Sequence, residues 1–252
     1  KPSSAETTDQ AIRYATELHL AYMKTPDGEV NNLARTGLEQ LVRVLQMRTS
    51  VEPAGVAEVD LASDALAFFP LIYWPVTENA PSLTSDQAIK VQNYLDNGGM
   101  ILFDTMDQPR RIQALEGIAE SPNAKALRRL LKPVNIPPLV PVTQDHVLTK
   151  SFSLLQNFPG RYTGGTVWVE QASTDPENRT GLDGVTRVVI GAHDWGRAWA
   201  SSPTDRDPRR FTESRRQEMA FRFGVNLVMY ALTGNYKSDQ VHVPFILERL
   251  GQ

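Results

Sequence analysis

Residues 84–104 read TSDQAIKVQNYLDNGGMILFD and carry the clearest structural signal in the chain. Thr84 and Gln87 have the spacing of a capping box, in which two residues of a first helical turn bond each other. Apolar residues at helical spacing follow, and a Gly-Gly pair is a typical helix end. Residues 100–103 are all apolar, as expected of a short buried strand. The stretch therefore predicts a helix followed by a strand that delivers Asp104 at its carboxyl end.

The residues before this unit repeat the same alternation. Strands are predicted over residues 18–25 and 66–73, and a helix that begins at Asn31 or Asn32 lies between them. Gly37 falls on the apolar face of that helix, which suggests close packing of its backbone against a sheet. Strands alternating with helices and short connections are typical of parallel sheets. We therefore predict an α/β fold with a doubly wound, mainly parallel sheet, in a three-layer α/β/α arrangement.

The second half of the chain is less regular. A helix, two strands and a short last helix are expected at residues 123–131, 166–170, 186–191 and 243–250. Between the first helix and the strands, residues 133–165 carry five prolines and are predicted to be irregular. Ser214 and Gln217 have capping-box spacing and predict the start of a long helix that Gly234 ends.

The chain has 252 residues, and we expect a single folded domain. Residues 1–10 are polar and are predicted to be a linker from a larger parent chain, whereas residues 11–252 are predicted to form one α/β domain. No stretch approaches the roughly 20 consecutive apolar residues that span a bilayer. We therefore predict no transmembrane segment within this chain.

Composition and motifs exclude several classes of protein. The chain has no cysteine, so no thiolate site is predicted. Its 26 basic and 29 acidic residues give a net charge of −3, so no nucleic-acid partner is predicted. No phosphate-binding P-loop, dinucleotide-binding glycine motif or serine-hydrolase elbow occurs in the sequence. The four histidines lack zinc-site spacing. We therefore predict no cofactor and no metal.

Topology selects the candidate site. In open parallel sheets, ligands bind beyond the carboxyl ends of the strands. Polar and aromatic residues follow the predicted strands at these ends, and together they would suit a small polar ligand. The candidate ligand-binding residues are Lys24, Thr25, Tyr73, Trp74, Asp104, Thr105, Asp107, Asp194 and Trp195.

Four residues are candidates for catalysis, and each has a structural alternative. Asp104 and Asp107 could act as general bases or hold a hard cation, or they could cap a helix that starts near residues 109–112. His193 and Asp194 suggest a histidine–carboxylate pair, but neighbours on a strand point to opposite faces unless a turn intervenes. His146 could assist catalysis or stabilise a turn.

Two further features also allow two interpretations. Tyr73 and Trp74 could contact a ligand or pack at the end of their strand. Residues 205–216 contain five arginines and three acidic residues. This segment could be a solvated loop that leads into a helix, or it could form an anion-binding or partner-binding surface.

Four segments resemble the bacterial domain-of-unknown-function family 4159. They are YMKTPD, LAFFPLIYWP, NGGMILFDT and DWGRAW, at residues 22–27, 66–75, 97–105 and 194–199. The resemblance extends from about residue 11 to residue 250. It implies a flavodoxin-like fold similar to that of class I glutamine amidotransferases. It also implies a soluble domain in the C-terminal part of a larger membrane-anchored bacterial protein, often behind an aerotolerance-regulator-like segment.

The comparison with glutamine amidotransferases bears on function. Their glutaminase chemistry needs a cysteine nucleophile on a strand-to-helix elbow, activated by a histidine. This chain has no cysteine, which excludes glutamine hydrolysis by that route. We therefore predict a non-catalytic domain that binds a small polar ligand or a protein partner. The alternative is a hydrolase that uses Asp104 or Asp107 as general base, with or without a metal, assisted by His193 or His146.

Overall fold

The computed structural model describes residues 4–108, 120–171, 185–201 and 211–250, with side chains described from residue 9 to residue 233 within these ranges, except 211–213. The strands are β1 (His19–Met23), β2 (Gly55–Val59), β3 (Leu71–Pro75), β4 (Met100–Asp104), β5 (Leu139–Pro141), β6 (Trp168–Glu170) and β7 (Val188–Gly191). The helices are α1 (Ser4–Thr16), α2 (Gly28–Arg48), α3 (Ser85–Asp96), α4 (Pro122–Leu131), α5 (Trp195–Ala200) and α6 (Phe211–Leu250).

The seven strands form one mixed sheet in the order β2-β1-β3-β4-β7-β6-β5. The first five in this order are parallel, and β6 and β5 are antiparallel to their neighbours. Asp104 pairs with Gly191, so the carboxyl ends of β4 and β7 lie side by side. The predicted α/β fold with a mainly parallel sheet is confirmed.

Helices cover both faces of the sheet. Successive strand residues point to opposite faces, so Leu20 and Tyr22 pack with α2, α5 and α6, whereas Ala21 and Met23 pack on the α3 and α4 side. All five residues of each of β1, β3 and β4 are buried. Strands covered on both faces explain why these segments read as continuous apolar runs.

The predicted α3–β4 unit is confirmed. Thr84 accepts a hydrogen bond from the Gln87 amide, and the Gln87 side chain accepts one from the Thr84 amide. After α3, Gly98 adopts a φ of 89°. A Cβ on Gly99 would lie 2.3 Å from the Tyr94 ring, so the close approach of the chain here requires glycine.

The start and the packing of α2 differ from the prediction. Asp27 is the N-cap, because its side chain accepts hydrogen bonds from the amides of the first turn. Asn31 lies inside the helix and instead bonds Thr25. A Cβ on Gly37 would lie 2.4 Å from the carbonyl oxygen of Gly196, so Gly37 allows close approach to helix α5 rather than to the sheet.

The apolar run over residues 66–73 is not one strand. Residues Leu66–Phe68 form a 3-10 turn, closed by a hydrogen bond from the Phe69 amide to the Leu66 carbonyl, and β3 begins only at Leu71. Pro70 separates the two parts and has no amide to donate to a strand. The sequence pattern did not predict β2, a short edge strand with only two buried residues.

The last helix also differs from the prediction. α6 begins before Ser214 and continues through Gly234 to Leu250, so both predicted ends are wrong, and the short helix predicted over residues 243–250 is its final part. An interior glycine costs a helix only about 1 kcal/mol and does not by itself end it. At the other terminus, residues 4–10 of the predicted linker form the first turns of α1.

The helix predicted near residues 109–112 lies outside the described residues. Among the helices within the described ranges, none combines the length and apolar character needed to cross a membrane.

Candidate functional site

Two adjacent parallel strands end in sharp turns. Met106, after β4, and Asp194, after β7, have φ values of 56° and 55°, and among the described residues they alone adopt positive φ without being glycine. Asp194 is the N-cap of α5, so the turn from β7 into this helix lies at Asp194. A Cβ on Gly191 would lie 2.2 Å from the Trp195 ring, which shows how tightly this turn is packed.

The carboxylate of Asp104 lies beneath the second turn and accepts four hydrogen bonds. Its Oδ1 accepts from the amides of Met106 at 3.0 Å and Asp194 at 3.1 Å. Its Oδ2 accepts from the Trp195 amide at 2.7 Å and the Tyr73 hydroxyl at 3.0 Å. The Tyr73 oxygen in turn accepts from the Gly196 amide at 3.2 Å. Asp104 and Tyr73 thus bind the first amides of α5, a helix far away in sequence.

Burial dominates the electrostatics of this network. The Asp104 side chain is completely buried, and this loss of solvation, together with the nearby Asp194 carboxylate, raises its pKa from 3.8 to about 7. The three amide hydrogen bonds act in the opposite direction. Burial also raises the pKa of the Tyr73 hydroxyl, and the charges of Asp104 and Asp194 add to that rise. Tyr73 therefore stays protonated and donates to Asp104.

The side chain of Asp194 is held by two arginines. Its Oδ2 lies 3.4 Å from Nη1 of Arg161 and 3.2 Å from Nε of Arg197. Burial raises the pKa of Asp194, and the two guanidinium groups oppose that rise. Arg197 also pairs with Glu29 of α2 at 3.3 Å. These ion pairs fix the outer side of the turn.

A second buried network joins the end of β4 to α4. The Thr105 hydroxyl donates to Oδ1 of Asp107 at 2.7 Å, and the Ser121 hydroxyl donates to Oδ2. Ser121 is also the N-cap of α4, and the Asn123 side chain donates to the Thr105 carbonyl at 2.7 Å. Thr105 and Asp107 therefore connect two secondary-structure elements.

The remaining predicted ligand-binding residues lie elsewhere. Lys24 is half-exposed and pairs with Glu58 and Asp60 at the β1–β2 edge of the sheet. Thr25 bonds within the turn that leads into α2. Trp74 is buried in the core on the α3 and α4 side, with its ring centroid 5.3 Å from that of Phe103.

The two histidines among the candidates have different surroundings. Nδ1 of His146 accepts a hydrogen bond from the Leu148 amide and caps a 3-10 turn, and burial lowers the pKa of His146. The His193 ring is buried and stacks on Trp195 with a centroid distance of 4.6 Å. Its carbonyl accepts from the Tyr162 amide at 3.2 Å. Of the two, His193 is the one placed beside the Asp194 turn.

A crevice of about 550 Å³ opens next to His193. We refer to it as the arginine crevice; its lining residues are Pro141, Val142, Gln144, Gln156, Asn157, Phe158, Pro159, Thr163, Gly164, Gly165, Thr166, Val167, His193, Arg215, Arg216 and Met219. Most of its wall comes from the proline-rich segment that the sequence predicted only as irregular. The sequence feature that indicated this region was the arginine-rich segment over residues 205–216, of which residues 205–210 lie outside the described part.

A larger cavity, of about 950 Å³, lies between α4 and the antiparallel end of the sheet. Its wall is mainly apolar and includes Leu127, Ile136 and Trp168. Two of its charged residues, Glu120 and Arg128, pair with each other at 2.9 Å. This cavity therefore offers a mainly apolar surface.

No metal centre is evident in the described ranges, where no group of three or more histidine or carboxylate side chains is placed to hold an ion. The carboxylates of Asp104 and Asp107 already bind protein groups, whereas the arginine crevice is lined by polar and cationic side chains that a small molecule could contact.

Comparison with known proteins identifies the family. The model of a family described as "Domain of unknown function (DUF4159)" matches residues 19–232, which is most of the chain. The chain belongs to this family, and the resemblance seen in its four segments is confirmed at that level. Among curated proteins, none matches the chain.

Proposed function

We propose that this chain, as a member of the DUF4159 family, is a non-catalytic domain that binds a small polar ligand. The observation that carries the proposal is the saturation of Asp104, whose two oxygens accept four hydrogen bonds from protein groups. A general base must come within hydrogen-bond reach of its substrate. Asp104 is completely buried, so a substrate would first have to displace α5 or Tyr73.

The strand-to-helix turn at Asp194 supports the same conclusion. In elbow-type hydrolases, the amide of the residue after the nucleophile helps to stabilise the oxyanion. Here the corresponding amide, that of Trp195, donates to Asp104 instead. The Asp194 carboxylate is itself held by Arg161 and Arg197. The amides of Asp194, Trp195 and Gly196 thus all donate to protein groups, so none of these three is left to bind an oxyanion.

The fold is proposed to be flavodoxin-like and similar to that of class I glutamine amidotransferases. The five parallel strands, numbered among themselves, have the flavodoxin-like order 2-1-3-4-5. Met106 has the positive φ of an elbow residue, at the end of the strand where such an enzyme could carry its nucleophile. A thioether is no nucleophile for amide hydrolysis, which agrees with a binding role. The family resemblance further supports a place in a larger, membrane-anchored bacterial protein.

The alternative is a hydrolase in which Asp104 or Asp107 acts as general base. One observation favours it: the pKa of Asp104 is raised to about 7, near the value that suits a general base at neutral pH. His193 lies close to the same turn and could assist. The alternative requires that the hydrogen bonds to the carboxylate open during turnover.

A screen of the purified chain separates the two functions. Thermal unfolding is recorded with sugars, nucleotides, amino acids, organic acids and divalent metals, and ester, amide and phosphate-ester hydrolysis is assayed on the same protein. A bound ligand at 100 times its Kd adds about 2.7 kcal/mol, which corresponds to a rise in Tm of roughly 5 to 11 °C. We expect such a rise for at least one ligand class and no hydrolysis.

Two results would contradict the proposal. The first is hydrolysis that Asp104→Asn or Asp107→Asn abolishes while the variant keeps its folded circular dichroism spectrum. The second is a screen in which no ligand class changes the Tm, which would favour a protein-binding or structural role.

A further inference from the structure

We infer that the ligand is a small anion, with a phosphate or carboxylate group on an uncharged body, and that it binds in the arginine crevice. This inference rests on the proposed function, because it names the ligand class and the site of that binding activity. It places the ligand beside the Asp194 turn, on the α6 side of the sheet, and not directly over the strand ends.

The charges that line the crevice carry the first part of the argument. Arg215 and Arg216 both face it, and none of the lining residues within the described part of the chain is acidic. Neither arginine forms an ion pair with a carboxylate among the residues whose side chains are described. The other guanidinium groups near the turn, those of Arg161 and Arg197, are paired with Asp194. The crevice therefore holds positive charge that an anionic ligand would neutralise.

Arg216 supplies a more specific observation. Its Nη1 donates to the Arg161 carbonyl at 3.0 Å, which fixes the position of the guanidinium group. Its Nε is buried and has no hydrogen-bond partner within the described part of the chain. A buried donor without an acceptor is costly, and arginine binds phosphate and carboxylate through pairs of N–H groups. A ligand oxygen at Nε would satisfy the orphaned donor.

Two glycines with possible backbone donors also line the crevice. Gly164 and Gly165 have φ values of 81° and 85°, and their amides donate no hydrogen bond among the described residues. A Cβ on Gly164 would meet no atom within 4 Å, so the space beside this residue is open, whereas a Cβ on Gly165 would lie 2.4 Å from the Gln108 side chain. The hydroxyls of Thr163 and Thr166 add neutral polar groups. Amides and hydroxyls of this kind complement an oxyanion without adding charge.

The remaining surface suits an uncharged body. Phe158, Val142 and Met219 contribute apolar atoms, and Gln144 and Asn157 contribute neutral polar groups. A volume of about 550 Å³ lies within the range of small-molecule sites. A compact ligand with one anionic group is therefore a better match than a polyanionic chain.

The wall next to the turn is held in place before any ligand arrives. The Tyr162 amide donates to the His193 carbonyl at 3.2 Å, and the Gly160 amide donates to the Tyr162 carbonyl at 3.1 Å. A Cβ on Gly160 would lie 2.3 Å from the His193 carbonyl oxygen, so the loop packs directly on the turn. Such preorganisation lowers the entropic cost of binding, because the loop does not have to be ordered by the ligand.

Four probes with a common phenyl body test the charge preference. Phenyl phosphate, benzoate, benzyl alcohol and benzylamine are titrated into the full chain at low ionic strength. We expect at least one of the two anions to bind at least tenfold more tightly than benzyl alcohol, with affinity that falls as salt is added, and no measurable binding of benzylamine. The tighter of phenyl phosphate and benzoate identifies the anionic group.

Variants on one helix test the location. Arg215→Gln removes a guanidinium that has no ion pair among the described residues, and Arg216→Lys keeps the charge while removing the planar donor set. Each is expected to weaken the binding of the anionic probe roughly tenfold. Arg222→Gln lies on the same helix but outside the crevice, and it makes the same change in net charge as Arg215→Gln. We expect it to leave binding unchanged.

The outcomes are distinct. If benzyl alcohol binds as tightly as the anions, or if the Arg215 and Arg216 variants bind like Arg222→Gln, the inference is overturned while a binding function remains. If none of the four probes binds although another ligand class raises the Tm, the inference also fails. If nothing in the wider screen binds, the proposed function fails with it.

Discussion

The carboxylate of Asp104 accepts a hydrogen bond of 2.7 Å from the amide of Trp195, 91 residues later in the chain. Asp104 ends β4, Trp195 begins the helix after β7, and the two strands are neighbours in the sheet. Asp104 thus accepts a hydrogen bond at the start of α5, whereas the helix near residues 109–112 for which it was a candidate cap lies outside the described residues. This contact joins the ends of β4 and β7 to the start of α5. It provides a hydrogen-bond donor for the Asp104 carboxylate, which is buried at the place where a ligand was expected.

Replacing Tyr73 by phenylalanine tests this network. Tyr73→Phe removes one donor to Asp104 and leaves the Gly196 amide without its acceptor, and both groups are buried. We expect the free energy of unfolding to fall by about 3 kcal/mol. Urea unfolding measures the loss. The control is Tyr22→Phe, whose hydroxyl bonds the half-exposed Glu58 and should cost less than about 1 kcal/mol. Equal losses in the two variants would argue against a special role for Tyr73.

The stability of the domain should depend on pH through Asp104. Its pKa is raised from 3.8 to about 7, so the folded state keeps a proton that the unfolded state has released. This contribution to stability is complete below about pH 4 and is lost as pH rises to about 7, with a total of roughly 4 kcal/mol. Denaturant unfolding between these pH values measures it. Asp104→Asn should lack this fall, and an identical pH profile in the variant would assign it to other groups.

The charge of Asp194 contributes to the raised pKa of Asp104. Asp194→Asn removes that charge and keeps a residue that tolerates the left-handed conformation. We expect the pKa of Asp104 to fall in the variant, because a like charge no longer opposes its ionisation. Carboxyl-carbon NMR titration of the labelled protein reports this value. An unchanged titration midpoint would mean that burial alone sets the pKa.

The contact between α2 and α5 gives a test of packing. Alanine usually stabilises a helix interior relative to glycine by about 1 kcal/mol. At Gly37, however, a Cβ would lie 2.4 Å from the Gly196 carbonyl oxygen, and a backbone atom cannot move away cheaply. We expect Gly37→Ala to destabilise the fold by at least about 2 kcal/mol. Gly28→Ala, in the first turn of the same helix with no atom within 4 Å of the new Cβ, should be neutral or slightly stabilising.

Local signals made part of the fold predictable. The capping box at Thr84, the Gly-Gly stop and the apolar strand before Asp104 act within a few residues of one another, and all three are present. Signals that depend on tertiary structure were misleading. Gly234 would end a helix only if its neighbours adopted a C-capping geometry, and the helix instead continues past it.

Strand order allowed the candidate residues to be placed at one edge of the sheet, but not the protein groups that they contact. Strand ends alone cannot indicate that Asp104 meets the amide of Trp195, because that contact depends on which strands are neighbours. The arginine crevice combines residues from 141 to 219 and follows from no local pattern. The arginine-rich segment allowed an anion-binding surface to be predicted. The rest of the crevice is lined largely by residues 141–167, whose position next to Arg215 depends on the tertiary structure.

The most direct test of the central claim, binding without turnover in the arginine crevice, is phosphorus NMR of the full chain with phenyl phosphate. One spectrum reports both events, because bound and free ester differ in line width and position, and hydrolysis produces a separate inorganic phosphate signal. The account predicts an ester resonance that broadens and shifts as protein is added, and no growth of inorganic phosphate beyond a protein-free sample. Growth of that signal would contradict it, and so would an ester resonance that the protein leaves unchanged if benzoate also fails to bind.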